Sequence, residues 1–187
     1  MPMPSECKMS DLSDLVLLTD RLIVLLLIGL PGLSREAGRC LRNFVRLVEK
    51  ALFEHHEARE VLLKIIGKPE RFYMLYAFIN HIETCINAVR RLYKLLDRIN
   101  AEPESPYIPR ELRRLVKSHE RAIIKVRDAS EHMNDIIQDK PTMLTVSEDN
   151  DGVIVNKYKL KFNDLDIVLR RMHEVAEYIL SIKKIEP

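Results

Sequence analysis

Apolar residues in this chain recur three and four positions apart over long runs, with few glycines to interrupt them. Phe72, Leu75, Tyr76, Ile79, Ile82, Ile86, Val89, Leu92 and Leu96 form one such stripe. Leu41, Phe44, Val45, Val48, Leu52, Val61, Leu62 and Ile65 form a second, and Leu165, Val168, Leu169, Met172, Val175, Ala176, Ile179 and Ile182 a third. A side chain returns to the same side of an α-helix about every 3.6 residues, so each run predicts a helix with one face against a core. Only 5 glycines occur in 187 residues and aromatics make up 6%, which argues for helices over a β-sandwich. At this length, with 47% hydrophobic and 31% charged residues, a single domain over 1–187 with a sizeable core is expected.

Turn and capping residues divide these helices. Pro2 and Pro4 lie in an aperiodic start, 1–9, that is expected to fray. Ser10 is placed to cap a first helix reaching about Leu30, with Asp11 and Asp14 suited to the positive end of its dipole. That helix is apolar nearly all round near its end and is expected deep in the core, until Pro31-Gly32 stops it. Ser34 caps a second helix that reaches Ile66, where Gly67-Lys68-Pro69 ends it. The interval 54–60 inside it is polar except for Ala58 and reads as an exposed bend or a break. Pro69 suits the first position of a third helix running through Arg98. His81, Glu83, Arg90 and Arg91 read as its solvated face, although an arginine there can also reach a phosphate.

Pro103, Pro106 and Pro109 make 101–109 a loop, and a helix-forming run follows over 109–140. Two β-prone runs, 143–146 and 153–158, then flank a turn ending in Asp151-Gly152, a strong hairpin signal. This hairpin, over 141–160, reads as a surface excursion that can rim a site. Asn163 is placed to cap the last helix, with Asp164 and Asp166 in its first turn and Lys183 and Lys184 in its last. About five helices with short connections pack as an all-α up-and-down bundle, with the small β-hairpin inserted before the last helix.

The formal charge is only +2, so the totals alone do not demand a grip on long nucleic acid, though the arginines of 109–140 can concentrate charge locally. Cys7, Cys40 and Cys85 are odd in number, far apart and in no metal-like spacing, which fits a reduced, cytoplasmic setting. The apolar run 22–30 is too short to span a bilayer. As a signal peptide it has Asp11, Asp14 and Asp20 where positive charge is needed and no small-residue cleavage site after it, so a buried helix is expected. His55 and His56 point about 100° apart on a helix, cannot share one metal from one face, and read as a solvated pair. No Gly-rich phosphate loop, Ser-His-Asp elbow or repeated Glu-x-x-His is present.

Chemistry concentrates instead in the run 109–140. On a helical wheel Leu112, Leu115, Val116, Ala122, Ile123, Val126, Met133 and Ile137 gather as an apolar stripe. Arg127 and His132 fall outside it and flank the opposite face, which carries Arg110, Arg113, Lys117, Arg121, Asp128, Glu131 and Asp135, with Ile124 among them. The sequence Arg127-Asp128-Ala129-Ser130-Glu131-His132, with the apolar pair Ile136-Ile137 after it, resembles the Arg-x4-His signature of the HEPN superfamily. Asp128 stands in the polar position that is often asparagine in that family. Arg114 and His119 share the spacing, but Leu115 follows the arginine and His119 lies on the apolar stripe, so that match reads as chance.

The resemblance implies an all-helical homodimer joined through the helix that bears Arg127 and His132, and a metal-independent endoribonuclease with no cofactor. RNA is the implied substrate, and for a toxin or defence component an antitoxin protein is the implied partner; no membrane is implied. In such chemistry His132 is the base or acid, because imidazole exchanges protons near neutral pH. Arg127 holds the phosphate bidentately and stabilises its growing charge, and Asp128 orients an imidazole or the guanidinium. Residues five apart on one helix diverge by about 140°, so the second copy supplies the facing arginine and histidine. The competing reading is a non-catalytic interaction module or an RNA- or nucleotide-binding protein. In it Arg127 with Glu131, and Asp128 with His132, are i,i+4 pairs on a solvated face. An enzyme needs phosphate-sized space at these groups, whereas an interaction module pairs them off within one chain.

Overall fold

The structure, a computed structural model, describes residues 6–28, 34–103, 105–131 and 144–181. Residues 1–5, the Pro31-Gly32 stop, the stretch 132–143 with His132, Met133, Asp135, Ile136 and Ile137, and the end with Ile182, Lys183 and Lys184 lie outside them; of the start expected to fray over 1–9, Met9 is instead buried in the core. Within them the chain is mostly helical, with a small antiparallel sheet directly before the last helix, as its periodicity predicts.

Ser34 is extended and its hydroxyl accepts the N–H of Ala37, which opens α2 (Arg35–Ile65) as expected. After a 3₁₀ turn (Pro69–Met74), α3 (Leu75–Ala101) runs back along it. Glu54 meets His81 at 2.8 Å and Glu36 meets Arg98 at 2.7 Å, so the two helices lie antiparallel. Phe44, Val48, Leu62 and Ile65 interlock with Phe78, Ile82, Val89, Leu92 and Leu96, all fully or almost fully buried. Tyr76 departs from the expected stripe and is exposed. Tyr76 follows Leu75 by one residue and so lies about 100° round α3 from it, whereas Ile79, Ile82, Ile86 and Val89 fall within about 40° of Leu75.

The polar interval 54–60 does not break α2, because partners from other elements take up its charges. Glu54 pairs with His81, Arg59 reaches Asp11 and Glu60, and His55 is buried against the last helix. The His55-His56 reading is thereby corrected: His56 is exposed, but His55 is 1% exposed.

The first helix, α1 (Thr19–Ile28), starts eight residues later than the Ser10 cap implies. Residues 10–14 are held in turns by other contacts: Ser10 donates its N–H to Asp166, the Asp11 carboxylate accepts from Ser13, and Arg170 clamps Asp14 and the Asp11 carbonyl. Glu49 of α2 then takes the Leu18 N–H and the Thr19 hydroxyl, which fixes where α1 begins. Ile23 and Val24 are about half exposed, so α1 is not deeply buried up to Val24; the side chains of 25–28, nearer the apolar end of the helix, lie outside the description.

The run expected as one helix from 109 is two: α4 (Arg110–Lys117) and α5 (Glu120–Glu131). The Tyr93 hydroxyl donates to the Val116 carbonyl at 3.0 Å, and the Ser118 hydroxyl to the Leu115 carbonyl at 2.7 Å. Carbonyls so engaged by side chains leave the helical ladder, and the chain turns at Ser118-His119. Val116, Ile123 and Val126 are buried as predicted, while Leu115 is exposed.

The expected hairpin is a three-stranded meander, β1 (Thr145–Val146), β2 (Gly152–Val155) and β3 (Tyr158–Lys161), in the order β1-β2-β3. The predicted turn at 148–152 joins β1 to β2; a second, at Asn156-Lys157, is made possible by Asn156 at φ 53°. A Cβ on Gly152 would lie 2.2 Å from the Leu160 carbonyl oxygen, so only glycine lets β3 approach there. This sheet is no surface excursion. Val153, Val155 and Leu160 are buried, and the strands pack on α5 and the last helix, α6 (Phe162–Ser181). Helix α6 opens at Phe162, with Asn163 inside rather than capping it, because the Phe162 N–H donates to the Asp151 carbonyl and its ring meets Phe78 edge-on at 6.3 Å. No described helix is long and apolar enough to cross a membrane.

Candidate functional site

Helix α5 carries Arg127 and Asp128 near its C-terminal end, one turn after the buried Ile123 and Val126 that anchor it on α3. The Arg127 Nη1 donates to Asp128 at 3.0 Å, and its Nη2 pairs with Glu131 one turn along. The arginine side chain is 28% exposed, and the two carboxylates 46% and 45%. Its Nε is buried with no partner among the described residues. Pairs this wet are worth little, roughly 0–1 kcal/mol, and a better anion can displace them. His132 follows Glu131 directly in the chain and lies outside the described residues.

Between α5 and α3 runs a crevice with Ile86, Val126 and Leu144 as its floor and Glu83, Asn87, Arg127, Ser130 and Glu131 around it. The Ser130 hydroxyl donates to Glu83 at 2.6 Å. The enclosed space is only about 10 Å³, room for about one water. Ile124, expected on the open face, is half-buried. The second Arg-x4-His pair is not brought into this site: Arg114 ends α4 exposed, and His119 lies 3.5 Å from Asp164 of α6.

A second constellation went unread in the sequence. His55 Nε2 donates to Asp166 Oδ1 at 2.6 Å, between α2 and α6, and both side chains are almost wholly buried. The other Asp166 oxygen accepts the Ser10 N–H at 2.9 Å, which ties the N-terminal segment to the pair. On α6 the buried His173 donates from Nε2 to the Val16 carbonyl at 2.8 Å. One signal was there to be used: His55 is in phase with Val48, Ala51, Ala58 and Leu62, and Asp166 and His173 are in phase with Leu169 and Ala176. Burial first, then the Asp166 and Glu54 charges, push the Cys85 thiol well above its usual range, so this cysteine stays a protonated thiol. Burial likewise raises Cys7. Among the described residues no group of three or more His, Cys, Asp or Glu is placed to hold a metal.

No known family, curated protein or solved structure matches the chain.

Proposed function

We propose that the chain is a HEPN-like, metal-independent endoribonuclease acting as a homodimer, with Arg127, Asp128 and His132 as its catalytic residues. One observation carries this reading: the Arg127 guanidinium stands in the last described turn of α5, partly exposed to water and held by two exposed carboxylates. They keep the fork aimed and yield to a phosphodiester, which offers the same bidentate geometry with more charge. His132, the next residue after Glu131, takes the proton of a ribose 2′-hydroxyl as the 2′-oxygen attacks phosphorus. The bond to the 5′-oxygen breaks, and the histidine of the second copy protonates that oxygen, leaving a 2′,3′-cyclic phosphate. Arg127 stabilises the charge that grows on the non-bridging oxygens. In a toxin or defence setting the partner is an antitoxin that covers this face.

A non-catalytic interaction module is favoured by a different observation. Both arms of the guanidinium are occupied within the chain, and the adjoining space among the described residues has room for about one water, less than a phosphate needs. Cleavage of a mixed RNA pool in EDTA by the wild type and by His132→Ala decides between them. The enzyme reading expects cyclic phosphate ends from the wild type and a loss of about 10²–10⁴ in rate for a folded, equally dimeric variant. Equal cutting by both, or cutting by neither, leaves the interaction module as the better account.

A further inference from the structure

The strongest unclaimed feature is a groove of about 240 Å³ between α2 and α3, lined by Asn43, Arg46 and Leu47 on one side and Arg91, Lys94 and Leu95 on the other. Three of its six lining residues are cationic, and none is acidic. Arg46, Arg91 and Lys94 make no ion pair or hydrogen bond among the described residues. The neighbouring cations behave differently: Arg90 meets Glu120, Arg98 meets Glu36, and Lys117 meets Asp97. Carboxylates are therefore plentiful on these helices and are absent from the lining of this groove.

The arrangement costs electrostatic energy that the fold does not recover by itself. Arg91 and Lys94 are one turn apart on α3, and Arg42, Arg46 and Lys50 are spaced by four on α2, where like charges repel. The row of α2 spans eight residues, about 12 Å at 1.5 Å per residue. A linear anion with charges a few ångströms apart removes the repulsion along its whole length, which a single small anion does not do. The floor is apolar, Leu47 being buried and Leu95 partly so, and the Asn43 amide offers both a donor and an acceptor at the rim. This volume admits one strand's phosphate and sugar; a duplex needs a far broader face.

On α3 the groove also points at the Arg127 crevice. Asn87, which lines that crevice, and Arg91, which lines the groove, are one turn apart on the same side of the helix. We propose that the α2–α3 groove binds the phosphodiester backbone of single-stranded RNA and leads the strand along α3 toward Arg127. The choice of RNA rests on the endoribonuclease reading; the groove and its unpaired cations do not.

The test is binding of a fluorescein-labelled 2′-O-methyl oligouridine 20-mer, which lacks the attacking 2′-hydroxyl and so is not cut, measured by anisotropy across a salt series. The proteins are the wild type, Arg91→Gln and the triple variant Arg46→Gln, Arg91→Gln, Lys94→Gln. The triple variant should bind about tenfold more weakly at low salt, with the slope of log affinity against log salt reduced by about 2, at roughly 0.7 per phosphate lost on a single strand. Arg91→Gln alone, which removes one exposed charge and leaves the core intact, should lower the slope by about 0.7. The groove assignment is overturned if both groove variants bind as the wild type does, if no protein binds the oligonucleotide, or if the cations are needed only for phosphatidylserine vesicles. If groove variants lose binding while no protein cleaves RNA, the groove stands and the endoribonuclease reading falls.

Discussion

His55 with Asp166 and Arg127 with Glu131 are both side-chain pairs built on a carboxylate, and their surroundings give them opposite meanings. The first joins two helices far apart in sequence, is dry, and has a backbone N–H from the N-terminal segment on its spare oxygen. The second lies within one helical turn, and both partners reach water. A dry pair holds elements together because losing one partner strands the other in a medium that cannot solvate it. A wet pair stores almost nothing, so its groups stay available to a ligand. The histidine that most resembles a catalytic one by its partner is therefore a fastening, and the arginine with ordinary surface partners is the better candidate for chemistry.

The comparison breaks most directly at Asp166. Asp166→Ala leaves the His55 ring and the Ser10 N–H without partners, and is expected to cost roughly 3–5 kcal/mol in urea unfolding. Asp166→Asn keeps an acceptor for one of them and should fall between the variant and the wild type. Amide exchange at 10–18 should rise in both, since that segment is tied down through the same carboxylate. A loss below about 1 kcal/mol for Asp166→Ala would mean that the pair is not the fastening described.

Sequence carried the fold wherever phase or a local cap decides it. The buried faces of α2, α3 and α6 and the Ser34 cap were all readable, because each depends on residues within a few positions of one another. What escaped depends on distant partners. Whether a helix breaks at Ser118 is settled by the Tyr93 hydroxyl, and whether Ser10 caps a helix is settled by Asp166. The third strand needed the turn at Asn156 to be recognised beside the stronger Asp151-Gly152 signal. The site divides in the same way: the Arg127–Glu131 pair is an i,i+4 contact visible in the sequence, while the α2–α3 groove exists only once two helices lie side by side.

The wet pair gives a smaller and more pointed prediction. Glu131→Gln removes one of the two carboxylates on Arg127 and should change unfolding free energy by less than about 0.5 kcal/mol. If RNA phosphate competes with those carboxylates, the same variant should lower KM for RNA about threefold, as expected for losing a weak competing pair. An unchanged KM alongside active cleavage would show that Arg127 does not exchange its partner for substrate.

The smallest effect belongs to a third pair, which shares the N-terminal segment with Asp166 and the exposure of Arg127. The Arg170 guanidinium takes both oxygens of Asp14, and this hydrogen bonding holds the Asp14 carboxyl below its usual range. A carboxyl depressed in the folded state contributes its stabilisation in full above its unfolded pKa, about 3.9, and loses it as pH falls through the lower folded value. Wild type should thus melt slightly higher than Asp14→Asn at pH 7, with the gap closing below about pH 4 and not between pH 5 and 8. A gap for Asp14→Asn as large as that for Asp166→Ala would mean that exposure does not separate the two kinds of contact, and the distinction between fastening and available charge would fail with it.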